Sequence, residues 1–122
     1  MRRLELKAVQ TLEMSEQKSF EHRGEKDALL NVICCGVCRT DAKMWKLGHR
    51  DLVLPVVPGH EMIAADETGR MYAVWPGTAC GRCRFCKSER ENLCEHMKID
   101  GFHRDGGYAD QARVPLENLV PL

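Results

Sequence analysis

Cys80-Gly81-Arg82-Cys83-Arg84-Phe85-Cys86, followed by Cys94, sets four thiols within fifteen residues. Thiolates match the borderline-soft character of zinc, and four of them on one loop close a tetrahedral shell with no position left for water or substrate. Such a site is structural, and zinc binding of this kind is worth about 10–16 kcal/mol in small peptides, enough to hold a short segment folded. Arg82, Arg84, Lys87 and Arg90 lie among the cysteines and offset the negative charge that four thiolates leave around a divalent ion. An iron–sulfur cluster is a sharper rival. In bacterial ferredoxins, however, the fourth cysteine comes three residues on and precedes proline, whereas Cys94 follows after seven residues and precedes Glu95. Interaction modules such as zinc ribbons use two separated cysteine pairs, and disulfides leave the dense spacing unexplained.

A second group is spread more widely. Cys35-Gly36-Val37-Cys38-Arg39-Thr40-Asp41 comes about twenty residues before Gly59-His60-Glu61. Alone each is a weak signal, because a buried cysteine is most often a small hydrophobe and a lone histidine is more often solvated than ligating. Together with the quartet they gain weight.

Leu4 to Val9 alternates loosely and Ala28 to Cys34 is a β-branched, apolar run, so both read as strands. Glu13 to Asp27 is polar and is expected to turn at Gly24. Thr40-Asp41 followed by helix formers predicts a turn or two of helix ended by Gly48, which sets Thr40 and Asp41 at its start. Asp51 to Gly59 reads as extended chain delivering His60. Met62–Ala65 and Met71–Trp75 flank the turn sequence Asp66-Glu67-Thr68-Gly69-Arg70 and predict a hairpin. Residues 76–98 are poor in aliphatic side chains and must be organised by their metal. Gly106 to Pro115 reads as a turn and a strand, and Leu116 to Leu122 as an apolar, uncapped end that suggests further chain.

The 122 residues suffice for one core, and 18 Lys plus Arg against 18 Asp plus Glu give no field for nucleic acid or an anionic membrane. No apolar run of spanning length or secretory leader occurs, and seven cysteines fit thiols kept reduced, so a cytoplasmic location is expected. His22, His49, His96 and His103 read as solvated, although His49 and His103 could line a pocket. For Trp45 and Trp75, core packing is the commoner use.

From about Asn31 to Leu122, the order C-G-x-C-x-T-D, G-H-E, C-x2-C-x2-C-x7-C, D-G-G-Y-A-D and E-N-L-V-P-L resembles the zinc-containing medium-chain dehydrogenase/reductase family. The resemblance implies a mainly β fold: a GroES-like, partly open β-barrel with an inserted zinc-binding lobe at about 76–98 and few short helices. Residues 1–122 would then be a truncated catalytic domain of an NAD- or NADP-dependent alcohol or polyol dehydrogenase. A missing Rossmann domain would bind the nicotinamide cofactor, the partner would be a small-molecule alcohol, and a homo-oligomer is compatible with the pattern. Without that domain the chain is expected to be inactive.

Carried over residue by residue, Cys38 and His60 resemble ligands of a catalytic zinc, and Cys80, Cys83, Cys86 and Cys94 those of a structural zinc. Thr40 is similar to the hydroxyl that takes the substrate proton, Asp41 to the acid that orients the ligand histidine, and Glu61 to the carboxylate beside the metal. The third catalytic ligand of the family lies beyond Leu122, so Glu61 or Cys35 would have to complete the set. The His60-to-Cys80 interval is short, Ala64 stands where glycine is common, and Lys43 stands where alcohol dehydrogenases often carry a relay histidine, which suits polyol branches at least as well. The competing expectation is a stand-alone zinc-stabilised β interaction module without catalysis.

Overall fold

The computed structural model describes residues 1–18 and 26–122; the expected turn at Gly24 and His22 lie outside the described residues. The chain opens with an antiparallel ribbon of β1 (Arg2–Ala8) and β2 (Thr11–Glu16). No strand is expected at β2, whose second half falls in the polar stretch that begins at Glu13. Its residues are almost all exposed, so no face is selected for apolar side chains and no alternation marks it.

The main sheet is built from β3 (Asp27–Gly36), β4 (Glu61–Ala65), β5 (Met71–Val74), β8 (Gln111–Pro115) and β9 (Leu119–Pro121), in the order β8-β3-β4-β5-β9. All its pairings are antiparallel. The hairpin expected around Asp66–Arg70 is β4–β5, pairing Ala65 with Met71. The uncapped C-terminal run is not irregular: a 3₁₀ turn at Leu116–Asn118 leads into β9, which pairs Val120 with Ala73.

Ala112 and Val114 alternate inward along β8 and meet Leu30, Met62, Ala64 and Val74 in one core. A full burial of each large aliphatic side chain stabilises by about 1.5–3 kcal/mol. The ribbon curls this sheet toward a partly closed barrel. Leu6 exchanges hydrogen bonds with Val56, and the Leu4 N–H donates to the Tyr108 carbonyl at 2.8 Å.

Helix α1 (Arg39–Leu47) packs beside that seam, with Met44 against Leu6 and Val56 in a second core. Cys38 is its N-cap in extended conformation, and the Asp41 carboxylate in the first turn accepts the Cys38 N–H at 2.9 Å. Gly48 ends it, at φ 70°. Trp45 and Trp75 are not core residues; they are 40% and 64% exposed.

Between β5 and β8 the chain forms the lobe: β6 (Gly77–Thr78), helix α2 (Arg84–Lys87), a 3₁₀ turn at Glu91–Leu93, and β7 (Lys98–Ile99), which pairs with β6. Residues 80–98 contribute nothing to either apolar cluster. Among the described residues, no helix is long and apolar enough to cross a membrane.

Candidate metal centres

The four lobe cysteines converge. Sγ–Sγ distances are 3.5 Å for Cys83–Cys86, 3.9 Å for Cys83–Cys94 and 4.0 Å for Cys80–Cys86. A tetrahedron with Zn–S bonds of about 2.3 Å has edges of about 3.8 Å, so these separations fit zinc and are far longer than a disulfide. The Cys80 N–H donates to the Cys94 sulfur, the Cys83 N–H to the Cys80 sulfur and the His96 N–H to the Cys94 sulfur, at 3.3–3.4 Å. Backbone N–H groups of Cys86 and Glu95 hold the Cys83 thiol down at about 6, whereas burial pushes the Cys86 thiol up to about 12. One thiol is thus ready to ionise and its neighbour resists, a conflict that a divalent cation removes by favouring thiolate throughout.

A second convergence joins β3, α1 and β4. Ligand atoms of Cys38, His60 and Glu61 lie within 4.8 Å of one another. Cys38 is delivered by the N-terminus of α1, and His60 and Glu61 by the entry into β4. Gly59 makes the approach possible: its φ is 94°, and a Cβ there would lie 2.6 Å from the Tyr108 ring and 2.8 Å from the Cys35 sulfur. Glu61 stands opposite Gly36 in the β3–β4 register, and a Cβ on Gly36 would meet Glu61 Oε2 at 2.6 Å. The missing side chain therefore leaves the room that the Glu61 carboxylate occupies.

Asp41 is buried behind this group. Its Oδ2 accepts from the Cys38 N–H at 2.9 Å and from the Tyr108 hydroxyl at 3.0 Å, and its Oδ1 from the Gly59 N–H at 3.4 Å. His60 Nδ1 lies 3.4 Å from Asp41 Oδ1 without hydrogen-bond geometry and has no other partner among the described residues. A buried ring nitrogen left facing a carboxylate fits a histidine whose other nitrogen serves a metal. Burial, then the bond to Asp41, raises the Tyr108 phenol above its ordinary value.

Cys35 is not part of the convergence. It packs against Gly59 and Gly107, and burial pushes its thiol up to about 11. Thr40 sits in the first turn of α1, half-buried, and its hydroxyl has no internal partner among the described residues. Tyr108 was missed by the sequence reading as a site residue; its place in Asp105-Gly106-Gly107-Tyr108, after a double glycine that lets the chain approach closely, is the one signal that pointed to it.

Aromatic rings extend the site. Phe102 lies 6.2 Å from the His60 ring, 5.7 Å edge-on from His49, and 6.3 Å from His103, on which it stacks. His49 is exposed, His103 is half-buried, and both sit beside this ring, as the sequence allowed for a pocket.

Residues 24–122 match the alcohol dehydrogenase GroES-like domain family. The chain is 34% identical over 116 residues to L-galactonate-5-dehydrogenase of Escherichia coli K12, which covers 87% of this chain and 34% of that protein. It is 33% identical over 102 residues to D-altritol 5-dehydrogenase of Agrobacterium fabrum, covering 75% and 30% respectively. Among solved structures, a protein of Sinorhizobium meliloti 1021 described as a zinc-binding dehydrogenase, bound to NADP, superposes with TM-score 0.90 at 29% identity, over 99% of this chain and 38% of that one. The chain spans about a third of the length of the curated relatives it matches. By the family match and by a shared GroES-like β architecture with few helices, the chain belongs to the alcohol dehydrogenase GroES-like domain family of the zinc-containing dehydrogenases.

Proposed function

We propose that this chain is the zinc-binding catalytic domain of an NAD- or NADP-dependent dehydrogenase that oxidises a polyol-type alcohol. The observation that carries the reading is the convergence of Cys38, His60 and Glu61 in front of a buried Asp41. Relatives that act on polyols and sugar acids, by their names, support the substrate class. An interaction module would leave that convergence, and the acid behind it, without a use.

Cys38, His60 and Glu61 would hold a catalytic zinc, and Cys80, Cys83, Cys86 and Cys94 a structural one. When bound at the first site, zinc supplies a Lewis acid that lowers the pKa of an alcohol. The chain's own residues do the rest. Asp41, facing His60 Nδ1 at 3.4 Å, would accept its N–H once the ring turns to ligate through Nε2. Thr40, whose hydroxyl has no internal partner among the described residues, takes the proton that leaves the alcohol and passes it outward. The reaction would remove a proton and a hydride from a carbinol to leave a carbonyl, and a nicotinamide cofactor bound by a Rossmann domain would supply the hydride acceptor.

Cobalt substitution tests the reading. Cobalt-loaded chain is expected to carry thiolate charge-transfer bands from two sites, and Cys38→Ser to lose one set while the quartet's bands persist. Bands that Cys38→Ser leaves unaltered would remove the catalytic site from the molecule.

A further inference from the structure

Beyond the Phe102 ring, a cleft of ≈ 640 Å³ opens between the turn after α1 and the zinc lobe, lined by Arg50, Arg82, Lys98, His96 and His103 among others. Its two carboxylates are already engaged: Asp51 lies 3.5 Å from Arg50, and Glu95 lies 3.1 Å from Arg84. Arg82 and Lys98, by contrast, have no carboxylate within ion-pair distance among the described residues, and both are exposed. Lys98 lacks a carboxylate partner among the described residues, and Arg82, which also offsets the charge of the cysteine quartet, lines the same cleft, so its lining favours an anion.

The histidines on the way to this wall are set as donors. His103 Nδ1 accepts the Ile99 N–H at 3.0 Å and His49 Nδ1 accepts the Asp51 N–H at 3.1 Å. Each neutral ring therefore carries its proton on Nε2, a donor suited to a hydroxyl oxygen. Phe102 lies between them and against His60, and His103 also lines the cleft, so this ring links the Cys38–His60–Glu61 group to the donor and the cations.

We propose that this cleft is the subsite for an anionic end of the substrate, so that the site takes an acyclic polyol ending in a carboxylate or phosphate in preference to an uncharged alditol. The proposal rests on the dehydrogenase reading for the position of the reacting hydroxyl. Arg82 and Lys98 clamp the anion, and His49 and His103 donate to hydroxyls along the chain.

Titration of the zinc-loaded chain with gluconate, glucitol 6-phosphate and glucitol, read by calorimetry and by amide NMR, tests it. Both anions are expected to bind at least about tenfold more tightly than glucitol, to move the Arg82, Lys98 and His103 signals, and to lose that advantage in the double variant Arg82→Gln/Lys98→Gln. Which anion binds better identifies carboxylate or phosphate as the natural end. Because Arg82 adjoins the quartet, Lys98→Gln alone and Arg50→Gln, which lies outside the lobe, provide variants that keep its zinc; each is expected to weaken both anions several-fold. Glucitol binding as tightly as gluconate, or variants that alter zinc retention and leave anion affinity unchanged, overturns the subsite. Zinc measured on the same samples separates the two ideas: anion preference in a chain that holds no metal at Cys38 and His60 sustains the cleft and removes the dehydrogenase reading, whereas metal there without anion preference does the reverse.

Discussion

Asp41 Oδ1 faces His60 Nδ1 at 3.4 Å from the first turn of α1. The same carboxylate accepts the Cys38 N–H at 2.9 Å, so one buried acid holds the Cys38 backbone and faces the ring of His60, two of the three residues of the candidate catalytic group.

Asp41→Asn keeps the size of the side chain and removes its charge. It is expected to lower zinc affinity at the Cys38–His60–Glu61 group about 10–100-fold while leaving the quartet unchanged. Tyr108→Phe removes one donor to the same carboxylate and is expected to cost about 1–3 kcal/mol of stability with a smaller loss of zinc affinity. Competition with a chromophoric chelator reads the first and urea unfolding the second. Equal zinc affinity in wild type and Asp41→Asn would leave Asp41 a purely structural acid.

Gly36 and Glu61 are expected to act as one unit. A Cβ on Gly36 would lie 2.6 Å from Glu61 Oε2, so Gly36→Ala should displace the carboxylate and weaken the second zinc about as much as Glu61→Gln. The double variant should then be no weaker than either single one, since contacting residues do not add. Additive losses in the chelator titration would mean that Glu61 reaches the group regardless of Gly36.

Asp100 makes a pH-dependent contribution. It is 1% exposed, Arg104 Nη2 lies 2.5 Å from its Oδ1, and burial pushes its carboxyl up to about 6 from 3.8 against the pull of Arg104. The folded chain therefore holds this proton more tightly than the unfolded chain does. The stability it contributes is complete below the unfolded value of 3.8 and is lost as pH rises through about 6. Asp100→Asn is expected to flatten the stability curve across that window, measured by urea midpoints at a series of pH values. A variant curve parallel to wild type would assign the slope to other groups.

What could be read in the sequence was what is local. The quartet lies within fifteen residues, and its spacing alone points to thiols that could share a metal ion. A helix beginning about Thr40 and Asp41 was legible from their residue types, whereas the structure sets its N-cap at Cys38 and Asp41 in its first turn. The Tyr108–Asp41 bond was not, because it joins residues 67 apart through a sheet register that no spacing records. The room for Glu61 beside Gly36 depends likewise on the β3–β4 pairing. β2 and β9 are not legible for a different reason: an exposed strand and a three-residue strand carry no apolar alternation.

Zinc content of the purified chain is the most direct measurement. About two zinc ions per chain are expected in wild type, falling to about one in Cys38→Ser and in His60→Ala. A wild-type chain with one zinc or none, unaltered by either substitution, would contradict the assignment of Cys38, His60 and Glu61 as a metal centre.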